Sequence, residues 1–163
     1  MGSGRIFTCP GCGRLLRFSF GVGWMMPGPA LLKRRKDVDD VLDFSERYPD
    51  GYVVYERVVK RCKNCGNLSN DMDLSMYVMK SPVRHAHHFV QVLGNNISLE
   101  EARSGKYKKY KDHLAPCQRC GCTEWESFDE PGLKEEMEKG NICCPDCGKV
   151  LTADMMTGYY MWD

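Results

Sequence analysis

Four copies of one five-residue pattern constrain this chain more than anything else in it. C-x-x-C-G occurs as Cys9-Pro10-Gly11-Cys12-Gly13, Cys62-Lys63-Asn64-Cys65-Gly66, Cys117-Gln118-Arg119-Cys120-Gly121 and Cys144-Pro145-Asp146-Cys147-Gly148. Two thiolates at that spacing reach one cation only if the chain turns sharply between them. The glycine after the second cysteine supplies a positive φ without steric cost, and backbone N–H groups in such a turn can donate to the sulfurs. Each copy offers two ligands and a tetrahedral zinc site takes four, so the copies must pair into two sites. A thiol-redox reading would want one such motif opening a helix in a βαβ unit, and nothing of that kind surrounds any of the four. The expected metal ligands are therefore Cys9, Cys12, Cys62, Cys65, Cys117, Cys120, Cys144 and Cys147, holding two Zn2+.

Sequential pairing is the simplest arrangement: Cys9, Cys12, Cys62 and Cys65 in one site, Cys117, Cys120, Cys144 and Cys147 in the other. The first site then spans 49 intervening residues and the second 23. The longer span is tolerable because loop-closure cost grows slowly with length. Crossed pairings would make the 51 residues between Cys65 and Cys117 the insertion instead. Two of the ten cysteines, Cys122 and Cys143, are left over and read as idle or buried thiols.

Around these motifs the chain alternates short strands with short helices. Leu16, Phe18 and Phe20 alternate with polar or small residues, the pattern of a strand with one buried face. Residues 30–48 read as a helix, with Val38, Val41, Leu42 and Ser45 on one face; Trp24-Met25-Met26 precedes it within a Gly/Pro-rich loop. Tyr52 to Arg61 and Leu74 to Met79 read as strands, Phe89 to Leu93 as another, and Gly94-Asn95-Asn96 as a turn. Ser98 with Glu101 forms a capping box for a short helix that Gly105 interrupts. Tyr107, Tyr110 and Leu114 are spaced for one helical face amid Lys106, Lys108, Lys109 and Lys111. Thr123 to Phe128 alternates as a strand, Leu133 to Lys139 is helical with Gly140 as its stop, and Tyr159 to Trp162 makes a terminal strand.

Charge is divided along the chain. Residues 1–113 carry 19 Lys/Arg and 12 Asp/Glu, and residues 114–163 carry 4 and 10, so the net +1 is a balance of +7 against −6. With the sequential pairing this predicts two domains: 1–113, a zinc ribbon with a helical insertion and extra strands, and 114–163, a compact ribbon. No apolar run reaches the length of a membrane span and no secretory signal is read at the start. The expectation is a cytoplasmic protein, where thiols stay reduced and bind metal. His85, His87 and His88, with His113, make a third metal site conceivable, but no zinc-enzyme motif accompanies them. They read as structural or surface histidines.

The four half-sites and their flanking strands, about half of the chain, resemble the zinc-ribbon (rubredoxin-like) class. The whole chain also looks like short bacterial double-ribbon proteins, a likeness that implies no activity. The resemblance implies a small metal-stabilised α+β fold: two zinc ribbons, short antiparallel sheets and a helical insertion. Zinc would stand in for the core that small ribbons cannot build. With four protein ligands, neither zinc keeps an open position to activate water, so the expected function is a non-enzymatic interaction or adaptor module that binds protein rather than a small-molecule substrate. Two alternatives stand beside it. One is nucleic-acid binding, with Arg103, Lys106, Lys108, Lys109 and Lys111 meeting phosphates and Tyr107 and Tyr110 stacking on bases. The other is a rubredoxin-like iron electron carrier using the same thiolates.

Overall fold

The structure is a computed structural model that describes residues 2–21, 38–80, 95–97, 99–113 and 115–162. Strands β1 (Gly2–Thr8) and β2 (Leu15–Phe20) flank the first C-x-x-C-G turn, and the terminal β10 (Met156–Trp162) pairs with β1 to give a sheet of order β10-β1-β2. Strand β4 (Arg57–Cys62) lies between β5 (Leu68–Met72) and β9 (Trp125–Phe128) in a second three-stranded sheet. A third sheet runs in the order β7 (Asn95–Ile97), β3 (Tyr52–Val54), β6 (Met76–Met79), β8 (Tyr107–Lys111). It is mixed, because β3 and β7 are parallel. Helices α1 (Asp39–Arg47), α2 (Leu99–Arg103) and α3 (Glu130–Glu138) complete the described elements, with a 3-10 turn at Ala153–Met155.

These elements form two compact units, each discontinuous in sequence. The first comprises Met1–Trp24, Arg57–Asp71 and Leu114–Asp163; the second comprises Met25–Glu56 and Met72–His113. All eight C-x-x-C cysteines belong to the first.

The core of the first unit follows from alternation. Leu16, Phe18 and Phe20 are all buried, as their spacing predicts, and Phe7 joins them from β1 with its ring 5.6 Å from that of Phe18. Leu133 and Met137, one helical turn apart on α3, close over the same cluster together with Cys9 and Cys144. Helix α3 is well specified at both ends. Asp129 caps it by accepting from the Gly132 N–H at 2.9 Å, Pro131 stands in the first turn, and the chain leaves at Gly140 with φ 73°.

In the second unit Val38, Val41 and Phe44 of the α1 region bury against Val53, Leu74 and Met76. The described helix begins at Asp39; residues 22–37, including Trp24-Met25-Met26 and the first part of the helix expected over 30–48, lie outside the described residues. Gly51 sits where a methyl group would lie 2.6 Å from Cζ of Phe44 and 2.9 Å from the Tyr48 carbonyl. Phe44 itself is buried and packs in a three-ring cluster, 5.1 Å from both Tyr48 and Tyr110, which lie 4.9 Å from each other. Gly51→Ala is expected to destabilise this unit by about 1–3 kcal/mol, the usual cost of overfilling a core. Urea unfolding followed by tyrosine fluorescence checks it.

Three expectations for this part of the chain are corrected. Tyr52 to Arg61 is two strands rather than one: β3 ends at Val54 and β4 begins at Arg57, each paired in a different sheet. Tyr107 to Lys111 is a strand rather than a helical face: it pairs antiparallel with β6, Tyr107 opposite Met79 and Lys109 opposite Tyr77. Only Tyr107 of this strand is buried; Lys108 to Lys111 are all exposed. Asn95-Asn96 belongs to β7 rather than to a turn, drawn out by parallel pairing with Tyr52 and Val53. Neither long-range pairing leaves a trace in local spacing.

Candidate metal centres

The four C-x-x-C-G turns are built alike. In each, the first cysteine's N–H donates to the carbonyl five residues on, at 2.8–2.9 Å: Cys9 to Arg14, Cys62 to Asn67, Cys117 to Cys122 and Cys144 to Lys149. The glycine N–H returns to the carbonyl of the first cysteine at 2.8–2.9 Å, and the four glycines, Gly13, Gly66, Gly121 and Gly148, all have φ between 68° and 74°. That left-handed geometry is the physical reason for the glycine in the motif. Within the first three turns backbone N–H groups converge on the sulfur of the first cysteine. The Cys9 thiol faces the N–H groups of Gly11 and Cys12, and Cys62 faces those of Cys65 and Asn64. Cys117 faces those of Arg119 and Cys120. Each of these three turns is thus shaped to hold negative charge on its first sulfur.

The turns pair, but not in sequence order. Cys9, Cys12, Cys144 and Cys147 form one cluster and Cys62, Cys65, Cys117 and Cys120 the other, and within each the thiol sulfurs all lie within 4.8 Å of one another. The sequential pairing of Cys9/Cys12 with Cys62/Cys65 and of Cys117/Cys120 with Cys144/Cys147 is therefore corrected to a nested one. Strand pairing is the cause. The ends of the chain meet where β1 runs antiparallel to β10, Gly2 opposite Trp162 and Ile6 opposite Gly158, which brings the first turn to the last. Strand β4 runs antiparallel to β9 with Cys62 opposite Trp125, which brings the second turn to the third. The Lys63 N–H donation to the Glu124 carbonyl at 3.0 Å extends that junction beyond the strands. The inner cluster closes the 51-residue span from Cys65 to Cys117, the alternative in which the middle of the chain becomes the insertion.

Sulfur separations across the clusters are 3.5 Å for Cys9–Cys147, 3.7 Å for Cys12–Cys144, 3.6 Å for Cys62–Cys120 and 3.7 Å for Cys65–Cys117. Four thiolates at zinc–sulfur bond length about a tetrahedral ion stand about 3.8 Å apart. A disulfide would bring two of them to about 2.05 Å. The spacing therefore fits a shared cation, and the all-sulfur donor set suits zinc or iron.

Each cluster buries its first cysteines and exposes an edge: Cys9, Cys144, Cys62 and Cys117 are buried, while Cys12, Cys147 and Cys120 are exposed and Cys65 is intermediate. Without an ion the thiols of a cluster compete for protons. Burial pushes the Cys9 thiol up, but N–H donation from Gly11 and Cys12 and the neighbouring Cys147 and Cys144 thiols outweigh it and hold Cys9 down to about 7. For Cys12 the Arg14 N–H acts downward, yet burial and the three neighbouring thiols drive it up to about 12. The inner cluster repeats this, with Cys62 lowered chiefly by the Cys65 N–H. There Cys65 is pushed up to about 12, burial and its neighbours overcoming the Asn67 N–H. A divalent cation resolves the competition by replacing the shared protons.

Polar contacts brace the cluster edges. Arg14, after the first turn, pairs with Asp146 inside the fourth, across the outer cluster. Asn67 Nδ2 approaches the Cys117 sulfur at 3.9 Å. Neither residue announced itself in the sequence beyond its proximity to a motif. Cys122 and Cys143 belong to neither cluster: the Cys122 sulfur accepts from the Glu124 N–H at 3.3 Å, and Cys143 bridges to Val150 in the hairpin behind the fourth turn. His85, His87 and His88 lie outside the described residues. His113 is buried with Nδ1 2.9 Å from Asp40 Oδ1, and no third group of metal-ligating side chains occurs among the described residues.

The basic segment is only partly free. Lys109 pairs with Asp112 at 2.9 Å and Lys111 with Asp40 at 3.2 Å, while Tyr107 is buried and donates to Glu101 at 3.0 Å. Lys106 and Lys108 are exposed; Tyr110 is exposed on one side while its ring packs against Phe44 and Tyr48. No helix among the described residues is long and apolar enough to cross a membrane.

No protein-family model matches the chain, and neither a curated protein nor a solved structure matches it. The class to which the fold and site belong is therefore defined by their own geometry: a small α+β protein with two four-cysteine clusters that can hold metal ions.

Proposed function

We propose that this is a zinc-binding protein with two structural four-cysteine sites, and that it acts as a non-enzymatic interaction module. The observation that carries the reading is the sulfur spacing of 3.5–3.7 Å between turns that are distant in sequence. Each site is a pair of zinc-ribbon half-sites. In this reading the zincs fasten the first unit, and the second is an insertion whose surface is free to specialise for a protein partner. When bound, zinc supplies electrostatic cross-linking of four thiolates; the chain's own residues turn, donate N–H groups to the sulfurs and cover them. Such sites require reduced thiols, which favours a cytoplasmic setting.

Metal analysis of protein purified without added metal tests this. Two equivalents of zinc in a colourless protein are expected. Iron with the red colour of a ferric thiolate centre would instead support the electron-carrier alternative, and absence of metal would overturn both.

Nucleic-acid binding is a second reading, favoured by the exposed Lys106, Lys108 and Tyr110 at edge strand β8. The ion pairs of Lys109 and Lys111 weigh against it. Absence of an electrophoretic shift with single-stranded RNA or DNA at low salt would eliminate it, since phosphate contacts are strongest there.

A further inference from the structure

We propose that the two clusters are coupled in metal binding and that Arg61 and Arg119 are the positioning residues that couple them, a proposal that rests on both clusters holding metal. Each arginine stands beside or between cysteines of the inner cluster and donates to a backbone carbonyl of the segment that forms the outer one. Arg119, within the Cys117–Cys120 turn, reaches from Nη1 to the carbonyl of Pro145, within the Cys144–Cys147 turn, at 3.0 Å. Arg61, next to Cys62, reaches from Nη1 to the carbonyl of Asn141 at 2.5 Å, just before that turn.

The Arg61 guanidinium is fixed on its remaining sides. Nε and Nη2 donate to Glu126 Oε2 at 3.2 and 2.5 Å, Nη2 lies 3.8 Å from Glu136 Oε2, and the group sits over the Phe128 ring at 5.4 Å. Glu136 is itself bound by Asn141 Nδ2 at 2.8 Å, so the carbonyl and the side chain of Asn141 belong to one small network. An ion in the inner cluster fixes Cys62, Cys117 and Cys120, and with them the backbone that carries Arg61 and Arg119. Those two residues hold the 141–145 segment, which sets Cys144 and Cys147 opposite Cys9 and Cys12. Filling one cluster thereby prearranges half the ligands of the other, and by linkage the effect is reciprocal. Neither arginine side chain is a metal ligand, and Arg119 meets the Cys117 sulfur only through its backbone N–H, which a substitution keeps, so their loss leaves both donor sets complete.

The test is a titration of reduced, metal-free protein with Co2+. Native mass spectrometry gives the populations of the apo, singly and doubly loaded forms, and thiolate-to-cobalt absorption reports sulfur ligation. Wild type is expected to fill with few singly loaded molecules. In R61Q/R119Q the product of apo and doubly loaded populations, divided by the square of the singly loaded one, is expected to fall about tenfold, the combined worth of two exposed hydrogen bonds. Final stoichiometry and the thiolate band stay unchanged. Arg119→Lys, which keeps a charged donor, is expected to retain part of the coupling that Arg119→Ala loses. An unchanged ratio in Arg119→Ala, whose hydrogen bond is exposed, overturns the coupling even if the double variant folds poorly. Absence of any thiolate-to-cobalt band in wild type would overturn the metal-binding reading itself, a result distinct from uncoupled but fully loaded sites.

Discussion

Stripping the metal with a strong chelator under reducing conditions is expected to unfold the first unit, with loss of the near-ultraviolet dichroism of Trp125. The six strands of this unit come from three separate stretches of chain and form two three-stranded sheets. Two sheets of short strands bury little apolar surface, a shortfall that small scaffolds commonly make up with a structural metal. A structural zinc contributes roughly 10–16 kcal/mol of apparent binding free energy, as much as the whole net stability of an ordinary domain at about 5–15 kcal/mol. Cys9 and Cys144 are also part of the hydrophobic cluster, so an empty outer site loosens Phe7, Leu133 and Ile142 directly. Trp125 reports the inner site: it lies opposite Cys62 in the β4–β9 ladder, and its Nε1 donates to the Ala115 carbonyl at 2.7 Å. Retention of the full dichroism with no metal bound would mean that the sheets stand without the ion.

Cys144→Ser is expected to leave one metal per chain and to lower the melting temperature by more than about 10 °C, since each kcal/mol is worth about 2–4 °C at this chain length. Serine is a poor zinc ligand at neutral pH, and the Cys144 sulfur is buried beside Ile142 and Leu151. The loss falls on the outer cluster and reaches the β1–β10 pairing that this cluster fastens. The inner cluster keeps all four ligands, so a variant that binds no metal at all would require much tighter dependence of one site on the other than two exposed hydrogen bonds supply. Calorimetry and elemental analysis of the same sample read both effects.

Much of the local structure is legible in the sequence because it depends on near neighbours. The four turns, the alternation of Leu16, Phe18 and Phe20, the Gly140 stop and the terminal strand at Tyr159 all follow from spacing and backbone chemistry within a few residues. Pairing is different. That Cys12 meets Cys144 depends on β1 finding β10 across most of the chain, and sequence spacing favours the shorter closure with Cys62. The same limit explains Tyr107 to Lys111: its residues carry a helical spacing and no strand alternation, and only pairing with β6 makes the segment a strand. It also hides Arg61 and Arg119, which nothing in local spacing singles out and which the strands place beside Asn141 and Pro145.

The nested arrangement of the clusters is tested most directly by metal content in two double variants, C9S/C144S and C9S/C62S. Nested pairing places Cys9 and Cys144 in one cluster and Cys62 in the other. The first variant is then expected to retain one zinc, held by Cys62, Cys65, Cys117 and Cys120, while the second, damaged in both clusters, retains little or none. The reverse pattern, one zinc in C9S/C62S and none in C9S/C144S, would contradict the nested fold and restore the sequential one.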